Sequence, residues 1–367
     1  MYISDIELTQ YRNFENIHLE LTEGLSIISG NNGEGKTNLL ESLYLISIGK
    51  SFRARNDLEL IHQTDSNKIS KYTPLTNIHG VTKYNNEKNN ILIVIPSDGN
   101  QSKQIKYNGI GISASQLVGR TPTVLFTAQD MDIVLGSPGK RRQFLDIFLS
   151  QINQEYLQKL QKYQQILVQR NSLLKSIRDQ QSTKEELSYW NSELVDLGTF
   201  IIDKRKEIIN LINKEIQDIH SVFSPTEQLL FKYIPSVAGE KFQELLNSTI
   251  NQQIATGVTD IGPQRDNIII SINDSSAYNF ASRGQAKNIV LSLRLTEAKI
   301  IQSTINLQPI LILDDILSEL DEFRRARIIE KIYEYNQAIV TTPEPNLIGT
   351  QYTSHIIRLA NGKISNL

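Results

Sequence analysis

Apolar and polar positions alternate in short runs at the start of the chain and then change period. Residues 3–8 and 17–21 are partly alternating stretches separated by Tyr11-Arg12-Asn13-Phe14, a pattern that predicts two antiparallel strands. Residues 25–29 (LSIIS) form a short apolar run, as a buried strand does. From Lys36 the period lengthens, and Leu39, Leu40, Leu43, Tyr44 and Ile46 recur at helical spacing. Residues 77–107 return to strand-like runs at 78–84, 91–95 and 104–107. The polar clusters NNEKNN and SDGN separate them, which predicts a β-meander with long turns. Residues 122–128 (PTVLFTA) read as one more apolar strand.

The pattern shifts again at Gln151. Tyr156, Leu160, Tyr163, Leu167, Leu174 and Ile177 keep a 4-3 spacing that Arg170 interrupts. After a polar stretch, Leu187, Trp190, Leu194, Leu197, Ile201, Ile208 and Leu211 keep a 3-4 spacing, with Lys204 as the exception. Two such stripes predict an antiparallel helical hairpin over about 151–223, its first arm on the order of 40 Å long, stopped by Ser224-Pro225. Beyond it the sequence predicts a strand at 229–234, a helix at 240–254 and a strand at 268–272. An amphipathic helix follows at 288–301, then a buried strand at 309–315, a helix at 323–336 and a strand at 338–341. A closing hairpin runs from His355 through Asn361 to Gly362-Lys363.

Composition narrows the function classes. The 367 residues suffice for two or three domains, or one with an insertion, and 39% apolar with 21% charged describes a globular protein with a sizeable core. A formal net charge of −2 gives no global basic field, so any nucleic-acid contact must use local patches. The absence of cysteine removes disulfides, Cys-type zinc sites and thiol catalysis together. The five histidines have no metal-like spacing and read as ordinary structural or surface residues. The charged N-terminus does not resemble a signal peptide, and no apolar run nears ~18 residues, so the expected location is cytoplasmic.

The sharpest chemical signal is GNNGEGKT, Gly30-Asn31-Asn32-Gly33-Glu34-Gly35-Lys36-Thr37, between the LSIIS strand and the following helix. It fits the phosphate-loop pattern at every fixed position. Glycines let backbone N–H groups curl round a polyphosphate, and the helix start adds partial positive charge. Lys36 then serves the β- and γ-phosphates and Thr37 a Mg²⁺ ion. PILILDD ends a buried strand with Asp314 and Asp315, where α/β sheets place their ligands. Asp314 is the natural second Mg²⁺ partner, and Asp315 is placed to orient an attacking water; alone, the pair reads equally as a strand end capped by acids. Ser282-Arg283-Gly284-Gln285 begins a helix, offering either a second phosphate-type end or a plain N-cap. The basic loop GKSFRAR (49–55) reads as a solvated turn or as a nucleotide or DNA contact.

GNNGEGKT, Gln129, SRGQ, LDD and SELD occur in the order used by ABC-type ATPase heads. YRNF, KSFR, PGKRRQFLD, GPQRD, SRGQAK and LDDILSELD together resemble the RecF family from end to end. Gln264 and Asn267 stand where that family usually has His and a second acid, and Thr341-Thr342 where transporter ATPases keep a switch histidine. The resemblance implies an α/β fold: an ABC-type P-loop ATPase head at 1–128 and 262–367, with a mixed sheet, flanking helices and an antiparallel β-subdomain. The helical lobe would occupy 129–261. It implies ATP and Mg²⁺ as cofactors, a weak ATPase used as a switch, and an ATP-dependent homodimer in which SRGQ of one copy completes the phosphate site of the other. Gln129 would position water with Asp315, and Arg12 would touch the nucleotide. The implied partners are double-stranded and gapped DNA together with RecO, RecR and RecA, in repair, replication and the SOS response; a nucleoid-associated location follows, with no membrane contact. Candidate DNA patches are Lys140-Arg141-Arg142, Lys204-Arg205-Lys206, and Arg324-Arg325 with Arg327, each of which taken alone reads rather as a solvated helical face.

Three rival classes fit less well. A membrane-transporter ATPase subunit is expected to carry glutamate at the Asp315 position and a histidine near Thr342. An SMC-type clamp needs hundreds of heptad residues between its halves, and a phosphotransferring kinase needs an acceptor pocket that no motif marks.

Overall fold

The computed structural model describes residues 1–62, 75–97, 101–349, 352, 354–360 and 362–366. Part of the SDGN cluster and Asn361 lie outside them. The chain divides into two compact units, Met1–Asp130 with Arg294–Leu367, and Met131–Leu293. The first unit opens with β1 (Tyr2–Tyr11), β2 (Phe14–Glu20), β3 (Gly24–Ser29) and α1 (Lys36–Ile48). It continues through β4 (Thr76–Tyr84), β5 (Glu87–Ile95), β6 (Gln104–Tyr107), β7 (Ile110–Ile112) and β8 (Thr123–Phe126). The second holds α2 (Pro138–Ile152), α3 (Gln154–Arg178), α4 (Leu187–Ser221), β9 (Leu229–Ile234), β10 (Asn267–Ile272) and β11 (Ser275–Ser276). The boundary falls within α5 (Arg283–Ile305), after which come β12 (Ile310–Asp314), α6 (Glu322–Ile332), β13 (Gln337–Thr342), β14 (Ser354–Ala360) and β15 (Lys363–Asn366).

In the first unit the sheet that carries the phosphate loop runs β15-β14-β3-β13-β12-β8, parallel except for β15. Its central strands are buried throughout, which is why they read as unbroken apolar runs rather than alternating ones. A second, antiparallel sheet runs β2-β1-β4-β5-β6-β7 and buries alternate residues. Gln337, fully buried at the start of β13, donates to Ile3 O at 2.8 Å and Thr22 O at 3.1 Å and accepts Ile3 N–H at 2.8 Å, so one amide ties β1 to the parallel sheet. The NNEKNN cluster is mostly strand. Only Asn85 and Asn86 turn, both at positive φ (48° and 65°), the two-residue hairpin geometry that asparagine tolerates.

In the second unit α3 and α4 form the predicted hairpin, with Tyr156, Leu160, Tyr163, Leu194, Leu197, Ile201 and Ile208 buried. The two stripes are not interrupted where they seemed to be. Arg170 is fully buried, its Nε donating to Asn191 Oδ1 at 2.7 Å, and the second buried cation is Arg205 rather than Lys204. Arg205 Nη2 meets Asp146 at 2.8 Å and Nη1 meets Asp266 at 3.1 Å and Pro263 O at 2.7 Å, so α2, α4 and the GPQRD turn are pinned together.

Two of the predicted or missing helices show how the structure departs from the sequence reading. α2 was not anticipated, because Arg141 occupies one of its buried positions and breaks the apolar period. The helix expected at 240–254 is two short helices, Phe242–Ser248 and Ile250–Thr256, broken at Thr249. The second unit runs to Leu293: β10 pairs with both β9 and β11, and the start of α5 docks on the end of α4. GPQRD and SRGQ therefore sit in the lobe unit.

Candidate nucleotide site

β3 ends at Ser29 and the chain enters the loop at Gly30. A Cβ on Gly30 would strike the carbonyl of Leu359, so only glycine fits against β14. Gly35 has φ 101° and faces the Asn13 amide where a side chain would collide, so it needs glycine for both reasons. Asn13, from the YRNF turn, braces the loop: its Nδ2 donates to Glu34 O at 3.1 Å and its Oδ1 accepts from Asn38 Nδ2 at 2.6 Å. α1 then starts at Lys36 with no side-chain cap. Lys36 is buried, and its Nζ curls over the loop onto Gly30 O (2.6 Å) and Asn31 O (3.0 Å).

β12 delivers the acids to this point. Thr37 Oγ1 donates to Asp314 Oδ1 at 2.9 Å, joining residues 277 apart in sequence. Thr341 Oγ1 meets the same oxygen at 3.0 Å and accepts the Asp315 N–H at 3.0 Å. Burial raises the Asp314 pKa, only partly offset by the Thr37 and Thr341 hydroxyls. Asp315 adopts φ 52°, and its Oδ1 accepts from Ser318 Oγ of the SELD stretch at 2.7 Å. A cavity of about 220 Å³ is lined by Lys36, Thr37, Asn38, Arg53, Asp314 and Asp315 together with Asn32, Gly33 and Gly35. An adjoining one of about 380 Å³ is lined by Asn13, Asn32, Gly33, Glu34 and Gly362. A threonine hydroxyl beside a partly desolvated carboxylate is a donor set that suits a hard divalent cation, and the loop suits a polyphosphate.

Sequence reasoning missed the support behind this wall. Glu41 on α1 has no exposed side-chain surface. It takes Arg12 as a fork, Nε to Oε2 at 2.9 Å and Nη2 to Oε1 at 2.8 Å, and Arg53 Nη2 at 3.0 Å. Burial alone would raise its pKa; hydrogen bonds from Arg12, Arg53 and Ser51 outweigh that and hold it below the ordinary value. Arg12 is thus committed to Glu41 and, through Nη1, to Glu59 O at 2.6 Å. From the KSFR loop it is Arg53 that reaches the cavity wall. A buried acid inside an apolar helix gave no signal, nor did Thr341.

Gln129 is exposed in the turn Ala128–Asp130 after β8 and does not line the cavity. Asp130 anchors that turn, accepting Thr127 N–H at 2.9 Å and Arg294 Nη2 at 2.6 Å. In the second unit, Ser282 N–H donates to Gln285 Oε1 at 2.9 Å and Gln285 N–H to Ser282 Oγ at 3.2 Å, a reciprocal capping box at the start of α5. Ser282 and Arg283 are exposed, and Gly284 partly so.

The basic patches lose members. Arg141 is buried and donates to Gly136 O at 3.0 Å and Asn267 Oδ1 at 3.3 Å, and Arg205 is the buried peg described above, so neither presents charge to a polymer. Arg142 gives Nη1 to Asp266 O at 2.7 Å. Lys140 is exposed 3.3 Å from Asp132, and Lys204 pairs with Glu207 at 2.7 Å. Lys206 is exposed, Arg324 pairs with Asp321, Arg325 is partly exposed, and Arg327 pairs with Glu330 at 3.1 Å. Gln264 and Asn267 have structural partners: Tyr163 Oη donates to Gln264, whose amide donates to Ile261 O at 2.7 Å, and Asn267 receives Arg141.

Comparison with known proteins agrees with this geometry. Residues 2–365 match the family model described as RecF/RecN/SMC N-terminal domain. The chain is 34% identical to the DNA replication and repair protein RecF of Lachnospira eligens, covering 100% of this chain and 99% of that one. It is 34% identical to RecF of Bacillus velezensis over 99% and 100%. Among solved structures, the recombination mediator protein RecF-ATP of the RecFOR pathway matches with TM-score 0.91 at 27% identity over 100% of this chain and 97% of that one. The Smc head of Pyrococcus furiosus, at 17% identity and TM-score 0.58 over 100% and 96%, shares the fold. The fold is that of an ABC-type ATPase head, and the chain belongs to the RecF family.

Proposed function

We propose that this protein is an ATP-dependent DNA-binding protein of recombinational repair in the RecFOR pathway. The observation that carries the reading is the meeting of Thr37 with Asp314 at 2.9 Å beside a loop closed by Lys36. Gly30 to Thr37 hold the phosphates through the loop backbone and Lys36, while Thr37 and Asp314 hold Mg²⁺. Asp315 orients water, and turnover is slow and acts as a switch. Bound ATP with Mg²⁺ supplies the γ-phosphate that a second copy recognises and that hydrolysis removes. The exposed Ser282-Arg283-Gly284-Gln285 turn is that recognition element. Phe280, three-quarters exposed two residues before it, supports a protein surface arriving there.

In this reading two copies close on ATP and hold DNA at single-strand gaps and junctions by salt-dependent phosphate contacts, with Lys206, Arg325, Arg324 and Lys140 as contributors. They act with RecO and RecR to help load RecA, in support of replication and the SOS response, at the nucleoid. Among the described residues no helix is long and apolar enough to cross a membrane. Sedimentation of wild type and Lys36→Ala, with and without ATP, Mg²⁺ and gapped DNA, tests the reading. Only wild type with ATP is expected to give a dimer that stays on DNA; a Lys36→Ala protein that does the same contradicts it.

A further inference from the structure

Three polar contacts join the start of α5 to the end of α4 and the segment that follows it. They recur at Gln285, Asn288 and Ser292, the i, i+3, i+7 spacing of one helix face. Gln285 Nε2 donates to Glu227 Oε1 at 2.8 Å. Asn288 Nδ2 donates to Ser224 Oγ at 2.7 Å. Ser292 Oγ meets His220 Nδ1 at 2.9 Å. Glu227 lies between α4 and β9, and its second oxygen meets His220 Nε2 at 3.2 Å. One carboxylate therefore bridges the last turn of α4 and the first turn of α5.

Donor chemistry fixes the direction of the links to Glu227. A carboxylate only accepts, so His220 Nε2 carries a proton and donates to Glu227. His220 has no exposed surface, and burial holds its pKa below the ordinary histidine value against the pull of Glu227. Ser292 Oγ lies 2.9 Å from Nδ1 and 2.7 Å from the Asn288 carbonyl oxygen, so its single hydroxyl proton has two acceptors within reach. Gln285 has one sensible amide orientation. Its Oε1 accepts the Ser282 N–H while its Nε2 donates to Glu227; the flipped amide would set oxygen against carboxylate and NH₂ against N–H. Ser282 is thus held by Gln285, Gln285 by Glu227, and Glu227 by the end of the long hairpin arm.

We infer that Glu227 is a positioning residue for the Ser282-Arg283-Gly284-Gln285 turn, and that the Glu227–His220 pair couples that turn to the hairpin arm. The inference rests on the reading above, in which this turn completes the phosphate site of a second copy. Glu227 itself touches neither nucleotide nor partner. An arm displaced by its cargo moves His220, and with it Glu227, Gln285 and Ser282. What the lobe holds and how firmly two copies pair are then linked through four side chains.

The test is ATP-dependent self-association of the full chain, by sedimentation velocity, for wild type, Glu227→Ala and Glu227→Gln. Binding of a fluorescent ATP analogue below the association concentration is measured beside it. Glu227 sits in a connecting segment, so its truncation is expected to leave the fold intact. Glu227→Ala should keep analogue affinity within about twofold and weaken pairing about tenfold, the loss of one charge-assisted hydrogen bond. Glu227→Gln should pair within about threefold of wild type, because its amide accepts from Gln285 and donates to His220 in the other tautomer. Hydrogen exchange should quicken at residues 282–288 of Glu227→Ala and stay unchanged at 36–48. The inference is overturned if Glu227→Ala pairs like wild type, if it loses analogue binding and pairing alike, or if Glu227→Gln is as weak as Glu227→Ala. Should Glu227→Ala fail to fold, Glu227→Gln decides: near-wild-type pairing supports the inference and a tenfold loss overturns it. Failure of wild type itself to pair on ATP instead counts against the composite-site reading.

Discussion

Two helices begin where phosphate chemistry is expected, and they begin in opposite ways. α1 follows Gly35, at φ 101°, with no side chain capping its first turn. α5 follows Ser282, which caps and is capped by Gln285. The first start is kept open by glycine and shaped from outside, by Asn13, by the Leu359 carbonyl and by the Glu41 ion cluster behind Lys36. The second is closed on itself and presents a finished turn. An open start suits a ligand that brings its own charge to the amides; a self-capped start suits recognition of something already bound elsewhere. In the proposed reading the two ends have different jobs, holding a nucleotide and sensing one.

The largest effects should fall on the open end. Lys36→Ala should weaken nucleotide binding by the single chain about a hundredfold. Gly35→Ala should match it, because the left-handed φ and the Asn13 contact both exclude a side chain; a Gly35→Ala protein that binds normally breaks the comparison. Glu41→Ala leaves two guanidinium groups facing each other and should cost about 3–5 kcal/mol in urea denaturation. Because the Glu41 carboxyl is held low, the cluster contributes fully above the ordinary carboxylate range and is lost as pH falls through its lowered pKa.

Smaller effects belong to the capped end. Ser282→Ala should cost about 1 kcal/mol of stability, the usual loss of a cap, leave single-chain nucleotide affinity unchanged and weaken ATP-driven pairing. His220 works with the opposite partner but the same sign of pH dependence: its lowered pKa means folding favours the neutral ring. Stability of the lobe unit is then full above about pH 6.5 and declines as the ring is forced to protonate below it. Thermal melts of wild type and His220→Gln between about pH 7 and pH 5 check this, the variant being flatter. Asp314→Asn sharpens the contrast at the metal position. Removing a carboxylate whose pKa burial raises should lift the melting temperature without metal and abolish the Mg²⁺ dependence of nucleotide binding. Replacing Arg324 and Arg325 by Ala should lower the salt slope of DNA binding by about one or two.

What could be read from the sequence was contiguous. GNNGEGKT and PILILDD each carry their chemistry within one strand end and one turn, so residue order alone located Lys36, Thr37 and Asp314. The parallel sheet could be read from its apolar runs for the same reason. Residues that work through distant partners were hidden. Arg170 and Arg205 read as a break and a solvated charge because their partners Asn191, Asp146 and Asp266 become neighbours only after the hairpin closes. Glu41 gave no signal inside an apolar helix, since Arg12 and Arg53 arrive from loops on either side. The seam from Ser282 to His220 spans two loops and two helices, and no local period encodes it.

Mixing two disabled proteins tests the central claim most directly. Lys36→Ala lacks the nucleotide-holding end, and Ser282→Arg lacks the sensing end. ATPase activity and sedimentation are measured for each alone, for the mixture, and for the double variant. If the ends of different copies meet, the mixture contains pairs with one intact site and regains ATP-dependent pairing and turnover that neither protein has alone. If the mixture stays as inactive as its parts while both proteins remain folded, each chain completes its own site and the account is wrong.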